Sequence, residues 1–121
     1  GVVSRIKLLK KSITEYFNQK HDIIVSNPPY INRIDIKNLT DDIKRFEPRI
    51  ALDGGNDGLD LVRKVIYKAK SILRINGILA LEIGNRQHKK VSKLLIKNNF
   101  RIECVIKDFE YNVRCLIAKK L

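Results

Sequence analysis

Asp22-Ile23-Ile24-Val25-Ser26-Asn27-Pro28-Pro29-Tyr30 decides how this chain folds. Three consecutive β-branched apolar residues stand between polar ends, the pattern of a strand buried on both faces, as in a parallel sheet. The strand stops at Pro28-Pro29, because neither proline can donate to a ladder. Downstream, residues 30–56 have no sustained period and end in the turn cluster Asp53-Gly54-Gly55-Asn56-Asp57-Gly58. A connection of that length usually has a job, such as a lid or a binding loop.

Further out, Leu59, Val62, Val65, Ile66, Ala69, Ile72 and Leu73 recur at helical spacing, which predicts a helix from Gly58 to Arg74 ending near Asn76-Gly77. Ile78 to Ile83 reads as a second buried strand, and Gln87 to Lys97 as a second helix with Val91, Leu94 and Leu95 on its apolar face. Ile102–Ile106 and Val113–Ala118 are two more strands, joined by a polar turn around Glu110-Tyr111-Asn112. Upstream, Ile6, Leu8 and Leu9 predict a short strand, and Ser12 through Phe17 a turn or short helix. Strands alternating with helices give an α/β sheet, mainly parallel. The last two strands, with almost no connection, must be antiparallel.

The 121 residues fit one domain, and 44% apolar residues is a globular composition. No apolar run approaches the length that spans a bilayer, and the N-terminus lacks the basic-then-apolar order of a signal peptide. Cys104 and Cys115 are too few and too far apart for a disulfide framework or a zinc site, so they read as two buried free thiols in a reducing, cytoplasmic compartment. The net charge of +12 leaves a nucleic-acid partner open. The basic residues are spread along the chain rather than clustered, so that partner is not favoured. His21 and His88 have no partners at metal-ligand spacing, and no metal site is expected.

Asn27-Pro28-Pro29-Tyr30 carries the chemistry. In open α/β sheets, ligands bind outside the carboxyl ends of the strands, and the tetrapeptide sits there. Methylating an amide or aniline-like nitrogen is hard because its lone pair is delocalised. The site must aim the NH₂ with two acceptors, one for each hydrogen. The Asn27 side-chain carbonyl and the Pro28 main-chain carbonyl can serve, which makes these two the catalytic pair. Pro29 keeps residue 28 extended and its carbonyl outward. The Tyr30 ring can stack on a planar amide or base. None of these groups needs to ionise, so the catalysis implied is positioning and preorganisation. A lone Asn-Pro-Pro could equally be a strand-ending turn; the buried strand before it argues for a site.

The segment from Asp22 to Ile31 resembles the signature of the release factor glutamine methyltransferase family (the HemK or PrmC family). A second block, Phe46-Glu47-Pro48 and then Ala51 through Asp60, is similar to that family's Glu-Pro, Ala-Leu, Gly-Gly and Asp-Gly-Leu-Asp run. A third, Gly77 through Leu81-Glu82-Ile83-Gly84 with Gln87, also matches. Asn-Pro-Pro-Tyr alone would be shared with adenine-N6 methyltransferases. The resemblance implies the C-terminal part of a class I S-adenosylmethionine-dependent methyltransferase (Rossmann-like) fold, a mainly parallel sheet closed by an antiparallel last strand. It implies S-adenosyl-L-methionine as donor and the glutamine of the Gly-Gly-Gln loop in peptide chain release factors as acceptor. Asn27, Pro28, Pro29 and Tyr30 would bind that glutamine. Asn27, with Ser12 and Ile13, would border the cofactor.

The departures are specific. The family's glycine-rich loop and the acidic residue that holds the ribose have no counterpart in this sequence. With its opening at Gly1 and no initiating Met, the chain reads as a single partial domain over residues 1–121, without the first two strands and the cofactor half. Gly54 through Gly58 neither follows a strand directly nor has dinucleotide-loop spacing, and Gly55 stands where a calcium loop needs a ligand. It is expected to be a turn supporting the substrate loop. Tyr111-Asn112 stands where the family has a glycine. Glu82 either orients the substrate loop or pairs with a nearby Arg or Lys. Glu47, Arg49 and Asp60 could form one network, and Lys119-Lys120 reads as a solvated face. Without its neighbours, Ile23-Ile24-Val25 would be an exposed apolar edge that invites self-association. A non-catalytic remnant that only binds the release factor is the other reading of such a piece.

Overall fold

The computed structural model describes residues 1–16 and 19–121. Its sheet has four strands: β1 (His21–Ser26), β2 (Leu73–Glu82), β3 (Phe100–Lys107) and β4 (Val113–Lys120). Three α-helices lie between them, α1 (Asp41–Phe46), α2 (Asp60–Ile72) and α3 (His88–Lys97). The strand order is β1-β2-β4-β3. β1 and β2 are parallel, and β4 runs antiparallel to both β2 and β3. β1, β2 and β3 therefore share one direction, with the reversed last strand inserted between β2 and β3.

Periodicity explains the helices. Val62, Val65, Ile66, Ala69 and Ile72 form the buried stripe of α2, and Val91 and Leu95 that of α3. Both stripes meet Leu79, Leu81, Leu116 and Ala118 of the sheet in one core that also takes in Leu59, Ile83 and Phe100. α2 ends at Ile72, earlier than the sequence predicts, because β2 already begins at Leu73. The regular β1–β2 ladder starts only at Ile23↔Ile78, and residues 74–77 are an irregular insertion after the Leu73 bridge, with Asn76 left-handed at φ 63°. The predicted boundary at Asn76-Gly77 marks this irregularity rather than the end of the helix.

Several expectations are corrected. Ile6–Leu9 form no strand; a 3₁₀ turn covers Val2–Arg5, and residues 1–10 are all exposed. A strand needs a ladder partner, and this segment pairs with none among the described residues. A 3₁₀ turn at Ile13–Glu15 meets the expectation of a short helix after Ser12; Phe17 lies outside the described residues. β1 is not buried on both faces. It is an edge strand whose Ile24 packs on the core while Ile23 and Val25 are 64% and 77% exposed. Cys104 is exposed and Cys115 half-buried, so the thiols are not a buried pair. Lys120 is not in open solvent: its Nζ donates to the Leu73 carbonyl at 2.8 Å, and burial lowers its pKa. No helix among the described residues is long and apolar enough to cross a membrane.

Candidate functional site

The site is built at the carboxyl end of β1. Asn27 leaves the last paired residue, Ser26, and is exposed, whereas Pro28 is buried and Pro29 and Tyr30 are half-buried. All described peptide bonds are trans. Residues 31–33 are then backed by the glycine cluster. The Ile31 N–H donates to the Leu52 carbonyl at 3.1 Å, the Gly54 N–H to the Ile31 carbonyl at 2.8 Å, and the Arg33 N–H to the Gly55 carbonyl at 2.9 Å. This is a short parallel bridge between Ile31 and Asp53, so the cluster is the supporting turn that the sequence suggests. Gly55 is required there: its φ is +89°, and a Cβ would strike the Asp60 side chain.

Carboxylates fix the same turn. Asp53 accepts from the Gly55 N–H at 2.9 Å and pairs with Arg33 Nε at 3.2 Å, and these contacts hold its carboxyl below the usual value. Asp57 accepts from Arg63 and from the Leu59 N–H at the start of α2; chiefly the Arg63 hydrogen bond lowers its pKa to about 2. Asp60 also pairs with Arg63, at 3.2 Å. The expected network of Glu47, Arg49 and Asp60 is thus replaced by Arg33–Asp53 and Asp57–Arg63–Asp60. Local geometry decides it: the Asx turns at Asp53 and Asp57 place these carboxylates on the nearest guanidinium.

Tyr30 is held from the neighbouring strand end. Its hydroxyl donates to Glu82 Oε1 at 3.3 Å, while burial and then the Glu82 carboxylate raise its pKa. No Arg or Lys among the described residues lies within ion-pair distance of Glu82. The pairing with a nearby Arg or Lys that the sequence favours is therefore not found, and Glu82 instead holds the Tyr30 hydroxyl. Arg114 at the start of β4 bonds Asp108 at 2.7 Å and opposes the upward shift of the Tyr30 phenol.

Two hollows meet at Pro29. One, about 490 Å³, is lined by Asn27, Pro28, Pro29, Tyr30, Glu47 and Leu52, among others. The other, about 740 Å³, is lined by Ser12, Ile13, Pro29, Arg49, Ile50 and Leu61, with Arg33 and Asp53. The structure thus brings Ser12 and Ile13 to one side of Pro29 and the Asn27–Tyr30 loop to the other. Ser12 is at the same time the cap of its 3₁₀ turn, its Oγ accepting from the Thr14 N–H at 3.3 Å. A nucleoside cofactor would find one apolar wall here in Ile13, Pro29, Ile50 and Leu61. Among the described residues no glycine-rich loop follows a strand to hold the rest of it, so the fit is partial. Asn27, expected to border the cofactor with Ser12 and Ile13, lines the smaller hollow and not the larger one. Apart from Ser12, Ile13 and Pro29, the residues lining the larger hollow could not have been found from motifs, because distant segments bring them together. His21 bonds the Tyr16 hydroxyl at 3.1 Å, and no group of three or more potential metal ligands occurs among the described residues.

The sequence model of the Eco57I restriction-modification methylase family matches residues 3–113. The chain is 45% identical over 101 residues to the release factor glutamine methyltransferase of Fusobacterium nucleatum, covering 84% of this chain and 28% of that protein. To the enzyme of the same name from Clostridium acetobutylicum it is 42% identical, covering 92% of this chain and 38% of that one. A ribosomal protein uL3 glutamine methyltransferase from Francisella tularensis is 38% identical, covering 69% of this chain and 27% of its own length. The chain therefore spans well under half of each of these relatives. The crystal structure of ribosomal protein L11 methylase from Lactobacillus delbrueckii superposes with a TM-score of 0.62 at 19% identity, covering 96% of this chain and 45% of that one. The fold is the C-terminal part of the class I methyltransferase (Rossmann-like) sheet.

Proposed function

We propose that this chain, which belongs to the Eco57I restriction-modification methylase family, carries the acceptor-binding part of a protein glutamine methyltransferase like the release factor glutamine methyltransferases it is similar to. The observation that carries the reading is the Asn27-Pro28-Pro29-Tyr30 loop, opening on two hollows that share Pro29. The acceptor is the side-chain amide of the Gly-Gly-Gln glutamine of a peptide chain release factor, met in the cytoplasm. It enters the smaller hollow. The Asn27 side-chain carbonyl and the Pro28 main-chain carbonyl take the two amide hydrogens, so that the nitrogen faces the larger hollow across Pro29. The Tyr30 ring lies along the amide plane. S-adenosylmethionine, when bound, supplies an electrophilic methyl group on sulfonium; Ser12, Ile13 and Asn27 border it. The residues of this chain contribute alignment and do not ionise.

The chain is one partial domain, and β1 offers an apolar edge through which two copies pair. Calorimetry with S-adenosylmethionine and with a Gly-Gly-Gln peptide tests the reading. Peptide binding that is lost in Asn27→Ala supports it. Binding of adenine-containing DNA with a steep salt dependence, in place of the peptide, would support the nucleic-acid methylase reading that the family name carries. Release factor binding without cofactor binding would mark a recognition remnant.

A further inference from the structure

Gln87 immediately precedes α3, yet its side chain does not cap that helix. It turns back to the end of the sheet. Nε2 donates to the Tyr30 carbonyl at 2.9 Å and to the Gly58 carbonyl at 3.2 Å, and Oε1 accepts from the Gly84 N–H at 2.8 Å. Both amide hydrogens and the oxygen are thus committed to main chain, from three separate segments. These are the loop after β1, the turn before α2 and the loop after β2. The surrounding space is closed by residues without side chains. A Cβ on Gly58 would lie 2.4 Å from the Tyr30 carbonyl oxygen and 2.8 Å from Gln87 Nε2. One on Gly84 would lie 2.8 Å from the Tyr30 ring and 3.1 Å from Gln87 Cδ.

We propose that Gln87 is a positioning residue for the acceptor site: it pins the Tyr30 carbonyl and so sets the direction of the Asn27–Pro29 main chain that receives the amide. The inference rests on reading Asn27–Tyr30 as the acceptor site. The mechanics follow from chain stiffness. Pro28 and Pro29 have fixed φ, so a main chain pinned at Tyr30 has little freedom left as far back as β1. Tyr30 is then held twice, by its hydroxyl on Glu82 and by its carbonyl on Gln87.

Gln87→Glu keeps the size of the side chain and the acceptor for Gly84, but puts an oxygen where two carbonyls need a donor. The test measures amide hydrogen exchange and Gly-Gly-Gln peptide affinity on the 121-residue chain, for wild type, Gln87→Glu and Asn27→Ala. In Gln87→Glu, exchange at Ile31 and Gly54 rises and peptide affinity falls, each about tenfold, as for loss of one to two net hydrogen bonds. Exchange at Val65 and Ile66 in α2 stays as in wild type. Relative to wild type at the same pH, affinity recovers as the introduced carboxyl is protonated and regains an O–H donor. A merely structural role would move the α2 amides too. Unchanged exchange at Ile31 and Gly54 overturns the proposal. So does an unchanged peptide affinity in Gln87→Glu while Asn27→Ala weakens binding, which leaves the acceptor site standing. If Asn27→Ala binds as wild type does, the acceptor reading itself fails and takes the positioning role with it.

Discussion

The Tyr30 hydroxyl donates to Glu82 Oε1 across 3.3 Å, tying the loop after β1 to the end of β2, 52 residues later. Burial is the larger cause of the raised Tyr30 pKa and the Glu82 carboxylate the next. Glu82→Gln should therefore lower the phenol's pKa only part of the way to its ordinary value, read by ultraviolet phenolate absorbance. A titration identical to wild type would remove Glu82 from the account. A folded-state pKa raised above the unfolded value gives a stability contribution that is full below about pH 10 and is lost as pH rises through the folded value. Tyr30→Phe should cost about 1 kcal/mol by the loss of one hydrogen bond.

The Asp57–Arg63 contact predicts an acid-sensitive start to α2. The Asp57 pKa is lowered to about 2, so its contribution is present above the unfolded carboxylate value and lost as pH falls through the folded one. Thermal melts from pH 5 down to about pH 2 should show stability falling, and Asp57→Asn should flatten that slope. Equal slopes in the two proteins would mean that other carboxylates dominate.

The β3–β4 turn holds a residue in the wrong conformation for its type. Tyr111 has φ 63°, and its side chain is 82% exposed. Left-handed backbone costs a non-glycine residue about 1–2 kcal/mol, and glycine gives back part of that through its freer unfolded chain. Tyr111→Gly should raise stability by about 0.5–1 kcal/mol in denaturant unfolding. A loss of stability would mean that the ring makes a contact worth more than the strain.

The edge of β1 predicts self-association that one charge can remove. Ile23 and Val25 project from the unpaired edge strand, on the side away from α2. Val25→Lys should shift the chain toward monomer in sedimentation velocity without lowering its melting temperature, since edge lysines block strand pairing. A wild-type chain that is already monomeric, with sharp cooperative unfolding, would count against the edge as an interface.

Regular, locally encoded features could be read from the residues. Both longer helices announce themselves by the spacing of Val62, Val65 and Ile66 and of Val91 and Leu95, and the β3–β4 hairpin by its short polar turn. Asn27 through Tyr30 could be placed at a strand end because Pro28 and Pro29 must stop the ladder. The same local reading failed wherever a partner decides. Ile6–Leu9 have strand composition but pair with no strand among the described residues, and Ile23-Ile24-Val25 look buried on two faces when only one face is covered. The clamp on Tyr30 was out of reach for a different reason. Gly58, Glu82, Gly84 and Gln87 are ordinary turn, strand-end and helix-start residues until the sheet brings them around one tyrosine. The glycine expected at the final turn was legible as a departure, and φ at Tyr111 shows what that departure costs.

The place of β4 in the sheet sets the order in which the chain can mature. Among the described residues β3 pairs only with β4, and β2 gains its second neighbour only when β4 arrives. During synthesis the strand made last of the four is thus the one that closes the middle of the sheet, and β3 must wait unpaired until it emerges. Cutting the chain before Val113 would remove two ladders rather than one, stranding β3 and leaving β2 paired only with β1.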